Sequence, residues 1–291
     1  MMSLSRFANR ILAFLTLATV SFAQTSAPAA NSAAAFAPLQ QWKTAVISGN
    51  AATLKALYST SPPAKIGTPR GDTSADSDVA FWTGLKVRGM KLDILQSEAP
   101  QTGYRQVVFQ AEVRSGAPSG EHTVYLTEGQ LWQRQGTEWR LAATKRSDPT
   151  RLQQPTSTSK VIYAPGIDAH AEISHALALA PKQHKNVLVV FGANWCYDCH
   201  VLDLAFHRQD VETVLRKNYE LVHVDVGEGD KNQDLMQQYQ VPMKKGIPAL
   251  AVLDGNGKLL YSQEGGEFEK ARALAPEDVL VFLNKWKPVA R

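Results

Sequence analysis

The stretch FGANWCYDCH, residues 191–200, contains both cysteines of the chain, Cys196 and Cys199. Two different chemistries use a cysteine pair with this spacing. In the motif C-x-x-C-H the cysteines attach a c-type haem, and the histidine, here His200, binds the iron. In the motif W-C-x-x-C after an apolar strand, the cysteines form a redox-active dithiol. The surrounding sequence has to distinguish between these two.

A purely structural disulfide is a third interpretation of the pair. It would close a loop of only four residues. In the chain-entropy model such a short loop stabilises the fold by roughly 2 kcal/mol, against nearly 5 kcal/mol for a loop of about 100 residues. The spacing therefore favours a chemical role for the cysteines.

The segments around the cysteines alternate between helix and strand patterns. Residues 186–193, NVLVVFGA, and 219–227, YELVHVDVG, are two largely apolar runs. Such runs are typical of strands buried on both faces. A helical segment is predicted over 199–217, and an earlier helix begins after Asp168, its expected N-cap. These patterns predict an α/β arrangement.

The end of the chain continues the same alternation. The segments IPALAVLD, 247–254, and KLLYSQ, 258–263, flank Gly255-Asn256-Gly257, which predicts a hairpin. A last helix is predicted to begin at Pro276, because proline is well tolerated in the first turn.

This order of elements, together with FGANWCYDC and GIPAL, resembles the thioredoxin fold over about residues 160–288. The resemblance implies a redox disulfide between Cys196 and Cys199. Cys196, at a helix amino terminus, is expected to be the attacking thiolate. Cys199 is expected to attack the mixed disulfide and release the substrate. No role for the flanking strand follows from the haem alternative, so the resemblance favours redox chemistry.

The resemblance also implies further site residues. Trp195 is expected to wall the site. The peptide bond between Ile247 and Pro248 is expected to be cis, and this loop to pair with the substrate backbone. Tyr197 and Asp198, between the cysteines, are expected to contact the substrate. Asp198 is also expected to disfavour the Cys196 thiolate and so to make the couple reducing.

Two features depart from the thioredoxin pattern: the dipeptide Tyr197-Asp198 between the cysteines, and the residue at position 190. Val190 stands where thioredoxins bury a carboxylate that handles the proton of the second cysteine. His223 matches the position of a buried lysine. We therefore expect His223 to take part in proton transfer, or else to be an ordinary strand histidine.

The first half of the chain has a different pattern. Two helical segments precede a set of period-two strands from Leu85 to Thr144, which ends in GQLWQRQGTEWRLAAT. The order of elements resembles the NTF2-like family, whose helices and curved sheet form a cone. The sequence therefore predicts a two-domain α+β protein. It comprises an NTF2-like α+β cone over residues 36–148 and an α/β thioredoxin fold over residues 161–291.

The predicted cone offers few catalytic candidates. Three aspartates are expected to lie in a polar loop over residues 61–80, a fourth on a strand, and one histidine on another strand: Asp72, Asp76, Asp78, Asp93 and His122. An enzyme of this fold needs an acid–base dyad inside the cone. We therefore expect a binding or association module, with homodimerisation as one role.

Residues 1–23 have the features of a cleavable signal peptide. Arg6 and Arg10 precede an apolar run, and Ser21 and Ala23 fit a cleavage site after Ala23. Residues 24–35 are expected to form a flexible leader, and residues 149–160 a linker rich in Pro, Ser, Thr and Gln. The protein is therefore expected to be periplasmic or secreted.

Composition excludes several other classes of function. The chain is 44% hydrophobic and 20% charged, with a formal net charge of +4. Its basic pairs, Lys145-Arg146 and Lys244-Lys245, are scattered, so nucleic acid is not an expected partner. We expect neither a metal nor any other cofactor.

The expected function is thiol–disulfide exchange with protein substrates, more in the reducing than the oxidising direction. It would need an electron donor in the membrane or the periplasm. The alternative is a binding protein in which the cone holds a small molecule or a partner. The second half would then serve as a scaffold, a metal clasp or a redox sensor.

Overall fold

The computed structural model describes residues 36–116 and 120–289. The predicted signal peptide, 1–23, and leader, 24–35, lie outside these residues. Within the described ranges, six strands form one sheet and four strands form a second sheet. No helix in the described part of the chain is both long and apolar enough to cross a membrane.

The first half packs helices against the six-stranded sheet. Its elements are α1 Ala37–Ser48, α2 Ala51–Ala56, β1 Lys65–Thr68, β2 Gly71–Thr73, α3 Ala75–Gly84, β3 Val87–Glu98, β4 Tyr104–Ser115, β5 His122–Gln135 and β6 Glu138–Arg146. The strand order is β2-β1-β6-β5-β4-β3. The pair β1 and β6 is parallel, and the other neighbouring pairs are antiparallel.

The loop predicted over residues 61–80 is wrong. That stretch contains β1, β2 and the beginning of α3. The two strands are only four and three residues long, too short to show a period of two. Ser74 caps α3 by accepting a hydrogen bond from the Ser77 N–H at 3.1 Å, a signal that the polar composition of the stretch conceals.

Aromatic side chains fill the space between these helices and the sheet. Trp42, Trp82, Trp132 and Phe109 are all fully buried. The rings of Trp42 and Trp82 meet edge to face at 4.9 Å, a favourable geometry for aromatic pairs. The interior of the cone is therefore a packed core.

The second half packs helices on both faces of the four-stranded sheet. Its elements are α4 Ala169–Gln183, β7 Asn186–Gly192, α5 Tyr197–Phe206, α6 Gln209–Asn218, β8 Tyr219–Asp225, α7 Gln233–Gln238, β9 Ala249–Leu253, β10 Leu259–Ser262 and α8 Pro276–Trp286. The strand order is β10-β9-β7-β8. Strands β7 and β8 are parallel, whereas β9 is antiparallel to both β7 and β10.

The central strand β7 contributes side chains to the hydrophobic cores on both faces of this sheet. All seven of its residues are buried. Val187, Val189 and Phe191 belong to the core under α4, whereas Leu188 and Val190 belong to the core under α5, α6 and α8. Because side chains alternate between the faces of a strand, one continuous apolar run serves two cores.

The helical segment predicted over 199–217 is divided into two helices. Helix α5 ends at Phe206, and Arg208 has extended backbone angles as the N-cap of α6. The break turns the chain so that α6 packs against α8 and β8. The disulfide is left at the opposite end of α5, directly after β7.

Within residues 149–160, predicted as a linker, residues 149–155 are packed in place, whereas residues 156–160 are exposed. Thr150 exchanges two backbone hydrogen bonds of 2.8 Å with Tyr125 of β5. Leu152 is 0% exposed and belongs to the core that contains Leu188. We call residues 149–160 the connecting segment.

Candidate functional site: a disulfide at a helix amino terminus

The two cysteines form a disulfide at the amino terminus of α5. Cys196 is the N-cap residue, and its Sγ accepts a hydrogen bond from the Cys199 N–H at 3.1 Å. The free N–H groups and the dipole of a helix favour negative charge at this end. The position therefore stabilises a Cys196 thiolate once the disulfide is reduced.

Both cysteine side chains are almost fully covered. Cys196 is 4% exposed and Cys199 2% exposed. They form a small cluster with the buried ring of Tyr163, against which Ile162 and Ile247 also pack. Cys196 thus offers only a small surface to an incoming sulfur atom.

Trp195, Ile247 and Pro248 lie beside the disulfide. Trp195 is 55% exposed, and its Nε1 donates to the Gly227 carbonyl at 3.0 Å. The carbonyl oxygen of Ile247 lies 3.6 Å from Cys196 Sγ. The peptide bond between Ile247 and Pro248 is cis. The structure therefore brings these three sequence candidates to the rim of the reactive sulfur.

Asp198 is buried and ion-paired, which the sequence did not reveal. It is 8% exposed, and its carboxylate accepts from the Arg272 backbone N–H at 2.9 Å and from Nη2 of the same residue at 2.5 Å. The Arg272 guanidinium also lies over the Tyr197 ring, 4.7 Å from its centroid. The negative charge that was expected to disfavour the Cys196 thiolate is therefore paired with a cation. Substrate contacts by Tyr197 and Asp198 stay predictions.

His223 lies in register with Val190 on the neighbouring strands β7 and β8. Its ring meets that of Tyr163 edge to face, with centroids 5.4 Å apart. Burial lowers the pKa of His223, an effect that the Asp203 carboxylate opposes. The imidazole is therefore neutral near pH 7 and able to accept a proton. Its part in proton transfer stays a prediction.

Residues 160–166, here called the strap, cross the disulfide and are fixed by Asn194. The Asn194 Oδ1 accepts from the backbone N–H groups of Ile162 and Tyr163, both at 2.9 Å. Its Nδ2 donates to the Tyr163 carbonyl at 2.8 Å. Sequence reasoning missed Tyr163, because the strap has no periodic pattern. It missed the role of Asn194, because the motif around the cysteines does not show which distant segment its side chain binds. An aromatic residue in an otherwise irregular segment was the one sequence feature that could have indicated that the strap is packed.

His200, the iron ligand of the haem alternative, is engaged inside the protein. It is 2% exposed, and its Nε2 lies 2.7 Å from the Asn194 carbonyl oxygen. Because a carbonyl oxygen only accepts, Nε2 carries the proton. The ring nitrogen that would bind an iron therefore holds the loop before the cysteines. Among residues 36–116 and 120–289, no group of three or more His, Cys, Asp and Glu side chains is placed to hold a metal.

The cone contains a second set of buried ionisable groups. Asp78 is on α3 and fully buried, so its expected place in a polar loop is wrong. Its carboxylate accepts from Tyr58 Oη at 2.7 Å and from Arg146 Nε at 3.0 Å. The sequence missed this cluster because its members come from distant elements.

Glu128 of β5 lies within the same cluster and is also fully buried. Its Oε1 accepts from Gln130 Nε2 at 2.8 Å and from Thr144 Oγ1 at 2.6 Å, whereas Oε2 has no hydrogen-bond partner among the described residues. Burial and the nearby Asp78 raise the pKa of Glu128 to about 8. The sequence predicted no functional pair of ionisable groups in this half. The structure instead places two buried acids, Asp78 and Glu128, near each other in its core.

The other candidates in this half lie apart from that cluster. Asp76 pairs with Lys55 at 2.6 Å, and Asp93 pairs with Lys91 at 3.1 Å. Asp72 and His122 are exposed. Their positions give no support for a catalytic role.

Comparison with known proteins identifies the second half. The sequence pattern of the thioredoxin-like family matches residues 168–255. This part of the chain is a thioredoxin-like domain. Its matched residues include the disulfide, the cis proline and the strand that carries His223.

Two relatives resemble the chain around this thioredoxin-like domain. The thiol:disulfide interchange protein DsbD 2 of Pseudomonas aeruginosa is 28% identical over 158 residues. The match covers 50% of this chain but only 25% of that protein, so the chain spans about a quarter of the curated relative. A disulphide isomerase from Xylella fastidiosa is 38% identical, with a TM-score of 0.42, over 44% of this chain and 97% of its own.

The N-terminal half has structural neighbours of another kind. An NTF2-like protein of unknown function from Shewanella oneidensis is 13% identical, with a TM-score of 0.33, over 40% of this chain and 99% of its own. The expected fold class is confirmed as a mixed α+β protein, with a thioredoxin-like second half and a first half whose structural neighbours are NTF2-like. The domain bounds 36–148 and 161–291 stay predictions.

Proposed function

We propose that the protein is an exported thiol–disulfide oxidoreductase that acts on protein disulfides, mainly as a reductase. The observation that carries the proposal is the disulfide at the amino terminus of α5. There Cys196 Sγ faces the Ile247 carbonyl at 3.6 Å, next to the cis proline. A polypeptide that paired with this loop would present its own sulfur to Cys196.

The reaction follows from the positions of the two sulfur atoms. The Cys196 thiolate attacks a substrate disulfide, forms a mixed disulfide and expels one substrate thiolate, which takes up a proton. Cys199 then loses its proton and attacks Cys196 Sγ, which releases the second substrate thiolate. Two electrons pass to the substrate, and the protein returns to the oxidised form seen here. An external thiol or dithiol donor has to reduce it again.

The named activities of the two relatives support exchange with protein disulfides. The reducing direction rests on the surroundings of Cys196. A strong oxidant needs a strongly stabilised thiolate. Burial of Cys196 disfavours that thiolate, against the helix dipole. The Asp198 carboxylate acts in the same direction only to the extent that its partner Arg272 leaves its charge unbalanced.

An activity assay on the full mature chain tests the proposal. We expect the protein to accelerate the reduction of insulin by dithiothreitol, and Cys196→Ser to abolish this effect. Cys199→Ser should trap a mixed disulfide, because Cys196 attacks but nothing resolves the product. Since the chain has only two cysteines, every trapped adduct must lie at Cys196. Equal rates for wild type and Cys196→Ser would contradict the proposal.

The direction is tested by the equilibrium reduction potential of the pair in defined thiol buffers. Thioredoxin lies near about −270 mV and a strong periplasmic oxidant near about −120 mV. We expect a value close to the first. A value close to the second would make the protein an oxidase or isomerase.

Export rests on residues 1–23, which lie outside the described residues. Their arginines, apolar run and Ala23 support cleavage by a signal peptidase. Intact-mass measurement of the protein from an extracytoplasmic fraction should give a chain beginning at Gln24. A full-length mass there would contradict cleavage.

The alternative, a small-molecule binder, receives less support from the cone. Its interior is occupied by the buried rings of Trp42, Trp82 and Trp132. Homodimerisation through the N-terminal half stays a prediction.

A further inference from the structure

The strap holds one side chain, Tyr163, in a fixed place beside the disulfide. Three hydrogen bonds to Asn194 fix its backbone, as described above. At the start of the strap, Lys160 Nζ contacts the buried Asp203 carboxylate of α5 at 2.5 Å. The tyrosine is therefore attached both to the loop before Cys196 and to the helix after Cys199.

Gly192 at the end of β7 shows how close the hydroxyl group comes to the inner sulfur. A Cβ atom placed on Gly192 would lie 2.0 Å from Tyr163 Oη and 2.9 Å from Cys199 Sγ. Both atoms thus border the same small space above the glycine. Any larger residue at position 192 would displace the tyrosine, the sulfur or both.

The inner sulfur needs a hydrogen-bond donor when the disulfide opens. Attack on Cys196 breaks the disulfide and leaves the electron pair on Cys199, whose side chain is 2% exposed. A buried thiolate without a donor is costly, because it has lost its water. Val190 of β7, two residues before Gly192, is apolar and offers this sulfur no donor.

We propose that the Tyr163 hydroxyl donates a hydrogen bond to Cys199 Sγ when the disulfide opens, and so stabilises the buried thiolate. The inference rests on the proposed exchange reaction but concerns a separate property, the acidity of Cys199. Tyr163 is thus the residue that makes Cys199 a good leaving group. When Cys199 later attacks a mixed disulfide, the same hydrogen bond keeps the thiolate available.

The tyrosine shares its proton and does not lose it. Its backbone is held by Asn194, whereas its hydroxyl borders the space beside Gly192 that Cys199 Sγ also borders, so the hydroxyl proton can turn towards that sulfur. Burial, with the Asp203 and Asp225 carboxylates, raises the pKa of Tyr163. The group therefore acts as a donor at neutral pH.

Other titratable groups surround the pair of side chains and also influence Cys199. They are Lys160 on the strap, His200 and Asp203 on α5, and His223 and Asp225 on β8. Each experiment therefore compares variants that retain all five groups.

The test removes only the hydroxyl oxygen. In the full chain with Cys196→Ser, the pKa of Cys199 is followed by the carbon NMR shift of its Cβ, with and without Tyr163→Phe. A hydrogen bond to a charged group predicts an increase of about one pH unit on loss of the hydroxyl. The control is Tyr219→Phe, which removes the buried hydroxyl that donates to the Leu283 carbonyl. This control should leave the pKa unchanged.

A second measurement uses the intact cysteine pair. Opening of the disulfide by dithiothreitol should slow by about threefold or more in Tyr163→Phe, because a less acidic thiol leaves more slowly. An unchanged or lower Cys199 pKa would overturn the inference, even if the rate changed, since packing alone would then explain the rate. If wild type opens normally but fails to reduce insulin, the proposed function fails while the role of Tyr163 stands on the pKa.

Discussion

Asp198 and Arg272 form an ion pair beside the cysteines. Asp198 directly precedes Cys199 and has little exposure, whereas the Arg272 side chain is about half exposed at 54%. The arginine also packs on Tyr197. The residues between the cysteines are therefore held from a distant part of the chain. The effect of Asp198 on Cys196 depends on both charges.

Removing the charge of Asp198 and removing the charge of Arg272 should shift the pKa of Cys196 in opposite directions. Asp198→Asn removes a negative charge and leaves Arg272 unopposed, so the pKa should fall by about half a unit. Arg272→Gln should raise it by a similar amount. It should also cost about 2 kcal/mol of unfolding free energy, because a buried carboxylate loses its main partner.

The pKa is measured from the rate of alkylation of the reduced protein against pH. Arg208→Gln provides the control, because it breaks the pair between Arg208 and Asp210 at the opposite end of α5. That variant should leave the Cys196 pKa unchanged. A change of the same sign in Asp198→Asn and Arg272→Gln would show that charge is not the cause.

The residues of the site differ in how far they could be predicted from sequence. Cys196, Cys199 and Pro248 lie in short motifs whose spacing carries the information. Tyr163 and Arg272 reach the site from irregular or distant segments, so only the folded chain places them there. The cysteine pair was therefore predictable, and the groups packed around it were not.

Strand β5 arranges its inward side chains as a polar ladder. Glu128, Gln130 and Trp132 are all buried at alternate positions. Gln130 donates to Glu128 at 2.8 Å and accepts from Trp132 Nε1 at 3.0 Å. The strand thereby carries a carboxyl group into the core, where its neutral form is the stable one.

This strand should make stability depend on pH through Glu128. The folded protein keeps the proton up to about pH 8, whereas the unfolded chain loses it near 4.5. The stability that this group contributes is therefore full below about pH 4.5 and is lost as the pH rises towards 8. Glu128→Gln should flatten this decline and be more stable than wild type above pH 8.

Urea unfolding at several pH values measures the effect. Glu98→Gln, at the exposed end of β3, is the matched control and should follow the wild-type profile. If Glu128→Gln and wild type lose stability in parallel between pH 5 and 8, Glu128 does not hold a proton in the folded protein.

The elements themselves were predicted unevenly. Long strands such as β4, β5 and β7 show clear periodic or continuous apolar patterns. The short strands β1 and β2 do not, because three or four residues cannot establish a period. Their pairing depends on β6, which is far along the chain and to which β1 is parallel. Strands β3 to β6 could therefore be predicted from the sequence, whereas β1 and β2 at the edge of the sheet could not.

At the scale of the whole molecule, the connecting segment contacts both halves. Its Gln154 accepts from Gln110 of β4 through the backbone carbonyl at 2.8 Å. The side chain of the same residue accepts from Tyr197 Oη at 3.2 Å, between the two cysteines. Residues of the N-terminal half are thus two hydrogen bonds away from the redox site.

Charge adds a second link between the connecting segment and the second half. Arg151 of the connecting segment donates to Glu277 of α8 at 3.0 Å. Composition alone indicated a linker. Pro, Ser, Thr and Gln are also common in packed irregular segments, so composition could not distinguish the two cases. The burial of Leu152 could not be predicted, because a single leucine in a polar segment has no periodic pattern around it.

The burial of Leu152 therefore limits where the chain can be cut without damage to the core of the second half. A fragment that started at residue 161 would carry every motif of the thioredoxin-like domain but would leave a leucine-sized void in its core. It would also lack the glutamine that holds Tyr197. Recombination that transplanted the redox half into another protein would succeed best with a junction before residue 150. In this chain, the segment that packs as one unit with the disulfide domain is longer than the segment that the sequence motifs delimit.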